Sequence, residues 1–180
     1  MVSERISLYV EDPDKIYDRV YLSSEVYAQA LEAFSIVCVD VGIIDRCAGA
    51  IYLAKRKSRP AQGWWWYIGG RVYAGEMPEM SATRCFKRET GLSIAPERFS
   101  FVRMSRVFFK DRAQPPYDKG CDSLIYGFAL ELTPEERAQV VLEPNEYESG
   151  GLTRFYYRDI IACPQLVPES VRDFCIEVFG

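Results

Sequence analysis

Residues 69–92 read GGRVYAGEMPEMSATRCFKRETGL. The stretch reads as a loop, a helix and a second loop. Positions 85, 88 and 89 fall within one helical turn and share a face, so acids there would converge on a hard cation that prefers oxygen ligands. Only Glu89 is acidic; the other two positions are Cys85 and Arg88. Three carboxylates could hold several magnesium ions for attack on a diphosphate phosphorus, whereas Glu89 alone could anchor one ion that screens the phosphates.

The spacing of Gly70, Glu76, Arg84, Glu89, Gly91 and Leu92 resembles the signature of the Nudix hydrolases. That resemblance implies an α/β fold: a mixed sheet in an α/β/α sandwich with a loop-helix-loop motif at residues 69–92, one domain over residues 1–180, and a lead-in at residues 1–21. Just upstream, Ala54 to Val72 read AKRKSRPAQGWWWYIGGRV, which is similar to the GDP-mannose mannosyl hydrolase branch, whose helix lacks the same two glutamates. The branch resemblance implies one magnesium ion, with manganese a possible substitute. It also implies inverting attack at the anomeric carbon of a nucleoside diphosphate sugar, with the nucleoside diphosphate departing. Such a leaving group needs charge neutralisation more than an array of metals.

Carried over position by position, the resemblance assigns Arg56, Arg71 and Arg84 to the diphosphate, which a planar guanidinium can grip with two hydrogen bonds. Glu89 and the Gly69 carbonyl become metal ligands, and Asp40, in the apolar run SIVCVDV, a contact to the nucleotide sugar. The branch uses a histidine in a late loop as general base, yet this chain has no histidine. An earlier strand histidine is replaced by Val107, and Ile68 stands where the branch commonly has proline. The late loop here is LEPNEYESGGLTRFYY, in which Glu146 or Glu148 is the candidate for a metal ligand or a carboxylate base.

Each of these residues also has a plainer reading. The arginines could be solvated or ion-paired, Glu89 an ordinary helix acid, and Glu146 and Glu148 ordinary loop acids. Arg88 reads as a surface cation that would weaken metal binding by repulsion, and Cys85 as a small buried hydrophobe. Trp64, Trp65 and Trp66 supply core bulk, with one of them a candidate to border the substrate cleft.

With 180 residues and 48% hydrophobic content, the chain is long and apolar enough for an ordinary core. A formal net charge of −4 argues against a general nucleic-acid binder, which presents a basic face. Six cysteines without a CxxC pair, and the lack of an apolar run long enough for a bilayer, point to reduced thiols in a cytoplasmic protein with no membrane partner. Ser23 and Ser24 predict a helix to about Phe34, and Thr133-Pro134 a short one. Strands are predicted at 35–43, 49–55, 64–68, 100–109 and 122–130. A strand and short helix follow over 152–161, and a terminal helix over 168–178. Asp12-Pro13-Asp14 predicts turns, and Asp111 to Gly120 a polar loop able to line or cover a site.

These readings lead to a magnesium-dependent hydrolase of a GDP-mannose-like nucleotide sugar, which the resemblance implies to be a homodimer, and in which Glu89→Gln abolishes turnover and leaves the fold nearly intact. Two alternatives stay open. One is attack at phosphorus, which would release a nucleoside monophosphate and a sugar phosphate. The other is a catalytically inactive module that binds a nucleotide sugar.

Overall fold

Along Ile36–Asp45 (β1), Val39, Val41 and Ile43 are buried in one apolar cluster, whereas Gly42 and Ile44 pack toward another. This alternation is the period-two signature of a strand covered on both faces. The computed structural model describes residues 9–12, 14, 15, 17 and 20–180. Most of the 1–21 lead-in therefore lies outside the described residues. Where it is described, Asp14 N–H donates to Asp12 Oδ1 at 3.0 Å, as expected of a turn.

β1 is the centre of a seven-stranded mixed sheet. Its neighbours are β2 (Ala50–Lys55), β4 (Ile68–Arg71) and β6 (Cys121–Glu131), the last parallel to it and the others antiparallel. β3 (Trp65–Trp66) and β7 (Thr153–Tyr156) pair with β2, and β5 (Ser100–Phe109) pairs with β6. The predicted strand at 64–68 divides because its two halves join different partners: β3 pairs with β2 and β4 with β1. Tyr67, between them, is buried and donates its hydroxyl to the Ser170 carbonyl at 3.2 Å.

Helices cover both faces of the sheet, giving the α/β/α arrangement the sequence predicts. The helix Pro78–Thr90 (α2) buries Pro78, Ser81, Ala82, Cys85, Phe86 and Glu89, a stripe at three- and four-residue spacing. It packs on β1 and β4 and ends at Gly91, whose φ of 76° suits glycine. The opposite face is covered by α4 (Tyr157–Ala162) and α5 (Glu169–Phe179) through Ile160, Val171 and Phe174. Ser23 caps α1 (Ser24–Ala33), and Thr133 with Glu136 forms a capping box on α3 (Pro134–Ala138). Among the described residues, no helix is long and apolar enough to cross a membrane.

Candidate functional site

Pairing of β1 with β4 puts Asp40 opposite Gly69, and α2 brings Glu89 back onto the same place, where its carboxylate accepts the Gly69 N–H at 3.3 Å. A cleft of about 440 Å³ opens here, a size typical of small-molecule sites. Six of the eight sequence-predicted residues line it: Asp40, Arg56, Gly69, Arg71, Glu89 and Glu146. Arg59 and Arg88 line it as well, as do Arg112, Ala113 and Gln114 from the 111–120 loop, so this loop borders the site as its length suggests. Trp66 is the tryptophan at the cleft, while Trp65 packs edge-on against Phe155 and Trp64 is exposed.

Arg56 and Glu146 are neighbours because Arg56 bridges to Tyr147 in the backbone. Glu146 Oε2 accepts from Ser58 Oγ at 2.5 Å and from Arg56 Nη2 at 3.4 Å. The Arg56 Nε is buried without an acceptor. Arg71 stacks on Tyr27 of α1 at 4.2 Å from the ring centre, and Arg59 on Tyr117 at 5.0 Å. Asp40 is 8% exposed. Burial pushes its carboxyl up to about 7, with Arg56 and Trp66 pulling down and Glu89 pushing further up.

Arg84 and Glu148 sit apart from the cleft. Arg84 makes two charge-assisted bonds to Glu76, Nε to Oε1 at 2.8 Å and Nη2 to Oε2 at 2.7 Å, and a third to the Arg71 carbonyl at 2.8 Å. Burial pushes the Glu76 carboxyl up, but Arg84, Ser81 and the Tyr73 N–H outweigh it and hold it at about 2. The pair thus ties the loop after β4 to α2. Glu148 pairs with Lys55 at 3.1 Å.

Arg88 departs from the surface role read from the sequence. Its Nη2 donates to the Gly69 carbonyl at 3.3 Å and also to Glu89 Oε1, the two groups expected to ligate metal. The other Glu89 oxygen takes the Tyr147 hydroxyl and the Gly69 N–H. Burial and Glu89 together push the Tyr147 phenol well above its ordinary value. Among the described residues no group of three or more His, Cys, Asp or Glu side chains is placed to hold an ion. At Gly69 and Glu89, protein donors already engage the atoms expected to bind an ion, a lining that does not fit a divalent metal. Tyr147 and Arg112 carried no signal in the sequence, one being an aromatic between two acids and the other one of many arginines. Arg59 lay within the quoted RPAQG string.

The fold has solved relatives. A MutT NUDIX hydrolase from Burkholderia pseudomallei matches at 21% identity over 81% of this chain and 98% of its own, with a TM-score of 0.62. The dihydroneopterin triphosphate pyrophosphohydrolase of E. coli matches at 20% identity over 77% and 91%, with a TM-score of 0.56. A MutT protein from Methanosarcina mazei Go1 matches at 20% identity over 78% and 90%, with a TM-score of 0.55. At these identities the likeness speaks for the fold alone. The family described as NUDIX domain matches residues 37–157, more than half of the chain, including β4, α2 and all but the first residue of β1, and the chain belongs to that family.

Proposed function

We propose that this Nudix chain hydrolyses a nucleoside diphosphate sugar, GDP-mannose or a close analogue, by attack of water at the anomeric carbon. The observation that carries this reading is the convergence of Arg56, Arg59 and Arg71 on a cleft that also holds the carboxyl groups of Asp40 and Glu146. Guanidinium groups suit a departing diphosphate, whose charge they neutralise as the bond to carbon breaks. Attack at phosphorus by the usual family route would call for an acid-rich helix face, and here that face offers Glu89 alone.

In this mechanism Glu146 takes a proton from the attacking water while the oxygen forms its bond to the anomeric carbon. The electrons of the breaking carbon–oxygen bond go to the diphosphate, which leaves as an anion on the arginines. Asp40, with its carboxyl held up to about 7 by burial, bonds a substrate hydroxyl. Glu148 and Arg84 have structural parts in this reading, as partners of Lys55 and Glu76. The magnesium or manganese expected from resemblance has no step. Further parts of the proposal are one domain over residues 1–180, a cytoplasmic location, and a homodimer through the α1 region, where Leu22, Val26 and Phe34 are exposed.

Incubation with GDP-mannose, GDP-glucose and ADP-ribose, with products separated by anion exchange, tests the reading. GDP and free sugar are expected, with Glu146→Gln lowering kcat by about 100-fold or more. Sugar phosphate with nucleoside monophosphate would instead mean attack at phosphorus. A binding module is the second reading, favoured by the saturation of Glu89 with protein donors; no product, together with a melting temperature raised by GDP-mannose, would select it.

A further inference from the structure

Arg88 lies where two of the expected metal-binding atoms meet. Its Nη2 donates to both the Gly69 carbonyl and Glu89, and its side chain, 47% exposed, lines the cleft. Gly70 makes room for this placement. A Cβ at Gly70 would lie 3.0 Å from Arg88 Nη2 and 3.0 Å from Cys85 Sγ, so a side chain at position 70 would push on the guanidinium. Cys85, one helical turn before Arg88, is itself fully buried. The Arg88 Nε and Nη1 make no hydrogen bond to the described residues, leaving donors free for a ligand.

We propose that Arg88 is the resident cation of this site: it takes the place of a divalent ion between the Gly69 carbonyl and Glu89 and binds the ligand's diphosphate, so that nucleotide binding needs no metal. A divalent ion entering the same place would have to displace a guanidinium already bonded to Glu89, or sit within a few ångströms of it against like-charge repulsion. A guanidinium also has the planar donor geometry that phosphate oxygens accept. The ligand class rests on the nucleotide-sugar reading above, whereas the exclusion of metal rests on Gly69, Arg88 and Glu89 alone.

Two titrations test the proposal without turnover. The first measures GDP binding by calorimetry in chelator and in millimolar magnesium; the second measures uptake of manganese by electron paramagnetic resonance. The wild-type protein is expected to bind GDP with the same Kd in both buffers, within about twofold, and to take up no manganese. Arg88→Ala is expected to lose about tenfold or more in chelator, the scale of a lost charge-assisted bond, and to gain manganese uptake as Gly69 and Glu89 are released. Wild-type binding that tightens about tenfold with magnesium, or wild-type uptake of one manganese ion, would overturn the proposal even if Arg88→Ala does not fold. Failure of GDP to bind in either buffer would overturn Arg88's part in diphosphate binding and leave its exclusion of metal to the manganese titration. Sugar release from GDP-mannose is a separate assay, so loss of that activity is distinguishable from either result.

Discussion

Glu89 is 2% exposed and accepts from the Tyr147 hydroxyl, the Gly69 N–H and Arg88. Its isostere glutamine has one acceptor oxygen and a donor NH2, so at least one of these donors would meet another donor. Glu89→Gln is therefore expected to lower stability by about 3 kcal/mol, the scale of an unsatisfied buried group next to a charge, as well as to impair the site. The sequence reading, which treats Glu89 as a metal ligand on a helix face, expects the fold to survive the change nearly intact. A urea unfolding midpoint within error of wild type would support that simpler picture. Spacing reveals that position 89 shares a helix face with positions 85 and 88. It does not reveal the tyrosine that meets it from 58 residues away.

Among the elements, the 111–120 loop has a buried arginine at its base. Arg112 is 1% exposed; it donates to the carbonyls of Ala28, Gln114, Pro115 and Pro116 and pairs with Glu32 at 2.8 Å. The loop is thereby fastened to α1, with Lys119 adding a second bond to Glu32. Arg112→Ala leaves these carbonyls without their donor and is expected to cost about 3 kcal/mol or more. Hydrogen exchange should quicken in both α1 and residues 111–120; acceleration confined to the loop would mean that α1 is held by other contacts. Other elements were legible because their signals are local. The Ser23 and Thr133 caps act within three residues, and the shared face of positions 85, 88 and 89 follows from helical period alone. The division of the 64–68 strand was not legible, since it depends on which neighbour each half finds.

At the scale of the whole molecule, apolar clusters lie on the two faces of one sheet, and Asp40 sits in the central strand between them. Its carboxyl rises to about 7 in the fold from an ordinary 3.8. Between those values the unfolded chain has released a proton that the folded chain keeps, so stability falls as pH rises from about 4 to about 7 and levels off above. Asp40→Asn removes this contribution. Its stability relative to wild type is expected to grow across that window, by up to about 4 kcal/mol for three pH units. Chemical denaturation of both proteins at several pH values measures it, and a constant difference would mean that Asp40 ionises normally in the fold.

The sequence by itself determined the Nudix frame, the sheet-and-helix order and the helix face shared by positions 85, 88 and 89, because these depend on spacing, capping and period, all short-range properties of the chain. Only the tertiary structure decided the roles of the long side chains. Arg84 turned to Glu76, Arg88 to Gly69 and Glu89, and Arg112 under α1. A guanidinium on a flexible stem can reach several partners, and which one it takes depends on the acceptors that distant segments bring within range and on the water that folding excludes.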